Sequence, residues 1–149
     1  MTVSLRHATP SDRDFLWQLH IATMKCYVEQ TWGWDHQWQQ QEFERKFDPQ
    51  GLQVIQSCET PIGCLSVRHE PDHVFLASIE IDPDHQNRGM GTQLIKQIIE
   101  EAEEEGRPVR LRVLKVNPAR ALYERLGFRR VDETETHYRM VRDIGNPHR

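Results

Sequence analysis

Cysteine is scarce: three in 149 residues, Cys26, Cys58 and Cys64. An odd number at spacings that match no zinc pattern excludes a disulfide framework and predicts buried, reduced thiols in a cytoplasmic setting. The eight histidines are scattered and lend a metal site little support, so none is expected. Long apolar runs are missing too. Nothing approaches the roughly 18–20 residues that span a bilayer, so no membrane partner is expected. Basic charge is not in excess either: 19 Lys and Arg against 23 Asp and Glu give a net charge of −4. That excludes a sequence-independent grip on nucleic acid, whose phosphates call for a basic surface, and it mildly favours a cationic or neutral partner. No charged-then-apolar leader follows Met1, so export is not expected. Internal repeats, linkers and low-complexity tracts are absent as well.

What is present is a soluble balance of 37% hydrophobic and 28% charged residues, with length enough to bury the core of one domain over 1–149. Residues 2–8 alternate as a strand does. Thr9-Pro10-Ser11-Asp12 then reads as a helix start, a threonine cap followed by proline and an acid, with Phe15, Leu19, Ala22 and Cys26 at helical spacing. A second helix is predicted from about Asp35 to Phe47. On it Trp34 and Trp38 fall nearly opposite Phe43 and Phe47, so one aromatic face should look away from the main core. Segments 52–57 and 61–68 read as a hairpin around Cys58-Glu59-Thr60-Pro61. Val74 to Ile81 is apolar enough for a central strand covered on both faces. Leu94, Ile95, Ile98, Ile99 and Ala102 mark one side of a helix starting near Gly91 and stopped by Gly106 and Pro108, its acidic outer face a solvated surface. A strand at 109–116, a short helix at 118–126, two strands near 128–133 and 137–142, and a polar tail over 145–149 complete the order β-α-α-β-β-β-α-β-α-β-β. That order describes an α/β (α+β) fold, a mixed sheet with helices on both faces.

The informative stretch is Gln86-Asn87-Arg88-Gly89-Met90-Gly91-Thr92, between a buried strand and an amphipathic helix. Glycines there let the backbone turn tightly and bring its N–H groups close to a ligand. Those donors sit at the positive end of the helix, a natural site for a pyrophosphate, with Arg88 adding a charged contact. A structural glycine pair at a tight turn would look the same. Neither the third glycine and distant acid of a Rossmann site nor the Gly-Lys-Ser/Thr of a P-loop is present.

In this loop the sequence resembles the GNAT superfamily of N-acetyltransferases, whose Gln/Arg-x-x-Gly-x-Gly/Ala signature is matched by Gln86, Gly89 and Gly91 after Ile81-Asp82-Pro83. A second block, Asn117 to Phe128, resembles the family's Asn-x-x-Ala-x-x-Leu-Tyr-x-x-x-Gly-Phe, with one residue fewer between Asn117 and Tyr123. The resemblance runs from Leu5-Arg6-His7-Ala8-Thr9 to the final strands. It implies a GNAT fold: a mostly antiparallel mixed sheet of six to seven strands, about four helices, and central strands that splay to admit the pantetheine arm of acetyl-CoA (coenzyme A). The cofactor-binding positions it implies are Ile79 and Ile81, the loop Gln86, Asn87, Arg88, Gly89, Met90, Gly91 and Thr92, and Asn117, Ala119 and Tyr123.

The resemblance also implies direct acetyl transfer to a primary amine. A backbone N–H near Ile81 would face the thioester carbonyl, and Tyr123 would protonate the departing thiolate. A core aromatic on a short amphipathic helix is the ordinary reading of Tyr123. Glu80 is the first choice of base, because it interrupts an otherwise apolar strand and a lone buried carboxylate is costly unless paired or facing a cavity. A structural ion pair with Arg112 is the rival explanation. His137 and Tyr138 are further candidates for substrate contact, surface hydrogen bonding being the plainer reading of both. On the acceptor side the resemblance places Tyr27, Glu29, Gln30, Trp32, Trp34 and Trp38, which would enclose an amine by cation–π and charge contacts or else form a satellite core. The expected acceptor is a small-molecule amine. A protein N-terminus or lysine is the enzymatic alternative, and a non-catalytic acyl-CoA sensor is the alternative of another class. The sequence leaves room for a homodimer.

Overall fold

The structure, a computed structural model, describes residues 3–144, so the polar tail read over 145–149 lies outside the described residues. The chain divides into two compact units, Met1–Ser66 with Ser78–Arg88 and Val67–Ala77 with Gly89–Arg149.

In the first unit, β1 (Val3–His7) leads through a 3-10 turn at Pro10–Asp12 into α1 (Arg13–Trp32). The turn is fixed by a buried carboxylate: Asp12 accepts the Thr9 N–H at 2.8 Å and two bonds from the Arg6 guanidinium, each 2.8 Å. Gly33, at φ +85°, ends α1 by donating its N–H to the Glu29 carbonyl. Asp35 then caps α2 (His36–Lys46), its side chain accepting the Trp38 N–H at 3.0 Å. β2 (Gln53–Ser57) and β3 (Thr60–His69) pair antiparallel around Cys58 and Glu59. Both turn residues have positive φ, 51° and 68°, the hand that matches strand twist in a tight hairpin. The core gathers Ala8, Leu16, Leu19, Val54 and Cys64, with Phe15, Phe43, Phe47 and Leu52 packed against it.

Two expectations are corrected here. Cys26 and Cys58 are exposed and only Cys64 is buried. On α1 the buried residues are Leu16, Trp17, Leu19 and Val28, while Ala22 and Cys26 face solvent. The helix carries almost no amphipathic asymmetry, so a spacing rule picks its inward face poorly.

β4 (Val74–Ile81) begins in the second unit and ends in the first. Its parallel pairing with β5 (Val109–Leu114) runs from Val74↔Val109 to Leu76↔Leu111, although β5 continues to Leu114. The expectation of cover on both faces is therefore not met: Val74 and Leu76, which share one face, are buried, whereas Phe75 on the other is half-buried, Ala77 is exposed, and residues 78–81 are half-buried.

In the second unit, α3 (Met90–Glu104) buries Leu94, Ile95, Ile98, Ile99 and Ala102 and contacts β5. Each of its large aliphatics contributes about 1.5–3 kcal/mol by leaving water. After α4 (Ala119–Arg125), the strands β6 (Arg129–Glu133) and β7 (His137–Arg142) pair antiparallel, and β7 pairs antiparallel with β5 along its length. The strand order is β1-β2-β3-β4-β5-β7-β6. Seven strands, mostly antiparallel, and four α-helices reproduce the element order and fold class expected from sequence.

Candidate active site

Near the end of β4, Glu80 presents a carboxylate whose side chain is 12% exposed. Oε2 lies 3.2 Å from Nδ1 of His20 and 3.2 Å from the hydroxyl of Thr23, both on α1. Oε1 accepts from the Cys64 thiol at 3.6 Å. The Thr23 hydroxyl is also 3.0 Å from the Leu19 carbonyl, so its one hydrogen is divided between two acceptors. Burial and the neighbouring carboxylate push the Cys64 thiol far up, which keeps it protonated and able to donate. Glu80 thus draws its partners from its own unit, whereas Arg112 is an exposed residue of β5. β3 approaches this end of β4 closely. A Cβ on Gly63 would lie 2.3 Å from the Glu80 carbonyl oxygen and 3.2 Å from Cα of Ile81, so only glycine fits there.

His20 connects this cluster to a cavity of about 900 Å³ within the first unit. Trp32, Trp34 and Trp38 line it together with Phe43 and Phe47, and Asp35, Glu42 and Lys46 supply its charge. The aromatic rings are organised around Trp17: His20 and Trp34 both stack with it at 6.2 Å between centroids, and Phe43 tilts against it at 5.4 Å. The expected opposition of faces holds for Trp38, which is exposed while Phe43 and Phe47 pack on the core, but not for Trp34, which precedes the first turn of α2 and meets Trp17 as Phe43 does. Trp32 and Trp38 stand 60% and 54% exposed, consistent with a cavity wall rather than a packed satellite core. Lys25 Nζ already sits 5.8 Å from the Trp34 ring centroid. Tyr27 is half-buried and Glu29 and Gln30 are exposed, and the lining does not include these three.

The turn before α3 has the conformation that its glycines allow. Asn87 and Gly89 have φ of 64° and 80°, and an added Cβ at Gly89 would meet nothing within 4 Å. No side chain caps α3, and its first intrahelical bond runs from the Gln93 N–H to the Gly89 carbonyl. A helix leaves the N–H groups of its first turn without intrahelical partners, which here are those of Met90, Gly91 and Thr92. Gln86 donates through Nε2 to the Ile81 carbonyl at 2.8 Å, which ties the loop to the end of β4. Arg88 is exposed and donates to the Asp84 carbonyl at 3.1 Å. Ile79 and Ile81 are half-buried on β4.

In the second unit Tyr123 is 9% exposed and meets Phe128 edge-on at 5.8 Å. Burial pushes its hydroxyl up to about 12, so it stays protonated at neutral pH. Asn117 serves as a cap, Oδ1 accepting the Ala119 N–H at 2.9 Å. His137 is held toward its neutral form by burial and then by Arg112, with Nδ1 2.8 Å from the Thr136 hydroxyl. The Tyr138 ring is faced by Arg130 at 4.7 Å and by Lys115 and Arg120 at 5.3 Å each.

Residues 14–128 match the model of the Acetyltransferase (GNAT) family. The chain belongs to that family. Among its relatives is an uncharacterized N-acetyltransferase of Methanocaldococcus jannaschii, 27% identical, with 96% of this chain and 68% of the relative aligned. The [ribosomal protein bS18]-alanine N-acetyltransferase of Escherichia coli is 38% identical over 69 residues, 45% of this chain and 47% of that protein. Of solved GNAT structures, the PaiA N-acetyltransferase of Thermoplasma acidophilum in complex with coenzyme A superposes with a TM-score of 0.78 at 14% identity, covering 96% of this chain and 99% of that one. At such identity the likeness concerns the fold.

Coenzyme A suits the GNAT turn as built. The uncapped start of α3, with open space where a Gly89 Cβ would stand, offers a diphosphate several N–H donors without a side chain in the way. Among the described residues no group of histidine, cysteine and acidic side chains could hold a metal, and no helix is long and apolar enough to cross a membrane. Sequence reasoning missed His20, Thr23 and Cys64 as the partners of Glu80. A faint signal existed on α1, where His20, Thr23 and Tyr27 recur at a helical spacing of three and four and mark a polar stripe on a helix without a clear apolar face.

Proposed function

We propose that this GNAT protein is an N-acetyltransferase that uses acetyl-CoA to acetylate a primary amine of a small molecule. The observation that carries the reading is the turn at Gly89, whose left-handed backbone opens the uncapped α3 N-terminus to an anion. Bound there, acetyl-CoA supplies the acetyl thioester. The turn from Gln86 to Thr92 would hold the diphosphate, chiefly through the N–H groups of Met90, Gly91 and Thr92, with Arg88 released from Asp84 to add a charged contact. Ile79 and Ile81 offer strand backbone to the pantetheine arm, and Asn117 and Ala119 are assigned to the same cofactor by the resemblance of their block to the family's. Tyr123 donates a proton to the leaving sulfur, a role that its retained hydroxyl proton suits. Glu80 anchors the base function at the amine.

The acceptor enters the aromatic cavity, whose volume of about 900 Å³ is of the size that small-molecule sites occupy. Trp32, Trp34 and Trp38 present ring faces to a cation. A second reading, acetylation of a protein N-terminus, is favoured by the similarity to the bS18-alanine N-acetyltransferase. Release of free thiol from acetyl-CoA, followed with a panel of primary amines and with short peptides bearing free N-termini, separates the readings. Turnover of small amines and not of peptides supports the first, and the reverse supports the second. Acetyl-CoA binding without turnover of either would make the protein a sensor.

A further inference from the structure

We infer that His20, and not Glu80 itself, takes the proton from the incoming ammonium, with Glu80 as the positioning residue that fixes the imidazole. The inference rests on the proposed acetyl transfer and deepens it. It stands on three observations. Nδ1 of His20 lies 3.2 Å from a Glu80 oxygen, and a carboxylate only accepts, so Nδ1 carries the hydrogen and, in the neutral ring, Nε2 presents a lone pair. The ring lines the aromatic cavity and is 29% exposed, whereas the Glu80 side chain is 12% exposed and already accepts from three donors. Nε2 makes no hydrogen bond among the described residues, and the ring is fixed by stacking on Trp17 and by Trp34 and Phe43 at 6.4 Å each.

A substrate amine arrives as an ammonium, because alkyl amines titrate near 10. One N–H bond breaks, the proton passes to Nε2, and the electron pair stays on nitrogen for bonding to the acyl carbon; as the carbon–sulfur bond then breaks, a second N–H proton is lost to solvent, offsetting the proton that the departing thiolate takes up. The imidazolium so formed is balanced by the Glu80 carboxylate, and Thr23 and Cys64 keep that carboxylate from turning away. The proton returns to solvent through the exposed edge of the ring. Other charges facing this region are Asp35, Glu42 and Lys46 on the cavity wall, Lys25 over Trp34, and His36 beside Trp17. Asp35 and Glu42 favour the incoming cation, while Lys25 and Lys46 oppose it.

Two measurements test this. In the first, acetylation of phenethylamine, or of the best acceptor in the panel, is followed from acidic to alkaline pH. His20→Gln should lower kcat about 10²–10⁴-fold at neutral pH with KM for acetyl-CoA unchanged, and should recover as alkali frees the amine. Glu80→Gln should lower kcat while keeping the rise of kcat/KM with pH. Imidazole added to His20→Ala should restore part of the rate, which a merely structural histidine would not permit. An unchanged pH profile in His20→Gln, beside wild-type turnover, overturns the inference alone. A wild-type protein that binds acetyl-CoA and acetylates nothing overturns the reaction and the inference together. In the second, which needs no variant and no turnover, nitrogen NMR of the histidine rings in the wild-type protein should find His20 with its hydrogen on Nδ1 and with an Nε2 signal that moves when the amine binds. A hydrogen fixed on Nε2, or an Nε2 indifferent to amine, overturns it.

Discussion

Glu80 and Tyr123 are both withdrawn from water, yet they are held in opposite ways. Tyr123 sits in the second unit among apolar neighbours, edge-on to Phe128, and burial alone raises its hydroxyl to about 12. Glu80 sits in the first unit with a histidine, a threonine and a thiol turned toward it. An apolar surround keeps a proton on a neutral acid, because the charged form is the one that burial penalises. A ring of donors holds a carboxylate in place. The contrast suits the two roles proposed above, Tyr123 as proton donor and the cluster around Glu80 as proton acceptor.

The strongest way to break that contrast is to remove the giver. Tyr123→Phe keeps the ring and its contact with Phe128, so the fold should persist while turnover falls about 10²–10⁴-fold. Steady-state kinetics beside a thermal melt checks it, and an unaltered rate would exclude the acid role. The pH profile sharpens the same point. A hydroxyl raised to about 12 stays protonated through pH 10, so the wild-type rate should show no fall centred on the ordinary tyrosine value of about 10.

The receiving side is broken from beneath by Gly63→Ala. Its Cβ would meet the Glu80 carbonyl oxygen at 2.3 Å, a backbone atom that cannot swing aside, so the strands must part. A loss of about 3 kcal/mol in denaturant unfolding is expected. Turnover should drop with little change in acetyl-CoA affinity, since the diphosphate turn lies beyond the strand end. A smaller effect belongs to Gly89→Val. Nothing obstructs the new side chain, but φ of 80° strains it by about 1–2 kcal/mol, and its bulk stands where an anion would approach. Binding of coenzyme A by calorimetry should weaken roughly tenfold or more, at about 1.4 kcal/mol per decade. Unchanged affinity would count against the turn as the diphosphate site.

The two regions were also unequally legible in the sequence. α3 was readable because its apolar residues recur at one period and its start and stop are marked by Gly91, Gly106 and Pro108, all local signals. The turn at Gly89 was readable for the same reason. Glu80 was visible as a carboxylate out of place, but its partners lie sixty, fifty-seven and sixteen positions away. No pattern along the chain encodes such pairings. The split aromatic faces of α2 were legible for Trp38 against Phe43 and Phe47 but not for Trp34, which belongs to the turn before the Asp35 cap. The burial of β4 was overread. An apolar run reports residue type, whereas cover depends on how far the neighbouring strand keeps its pairing, which ends at Leu76.

Asp12 supplies the control for the role proposed for Glu80 within the same unit. It is 7% exposed, like Glu80 well removed from water, but a guanidinium rather than a histidine, a hydroxyl and a thiol holds it. The Arg6 guanidinium first, then the Thr9 N–H, lower its pKa to about 2 against a cost from burial. The sign follows from linkage: the folded protein binds this proton less readily than the unfolded chain, so the stabilisation is complete above pH 4 and is lost as pH falls toward 2. Asp12→Asn should therefore cost about 1–2 kcal/mol at pH 7, a sum reduced by the partial exposure of Arg6, and almost nothing at pH 2. Its kcat should match the wild type wherever both are folded. A variant that loses turnover without losing stability would place Asp12 with Glu80 and dissolve the distinction between them.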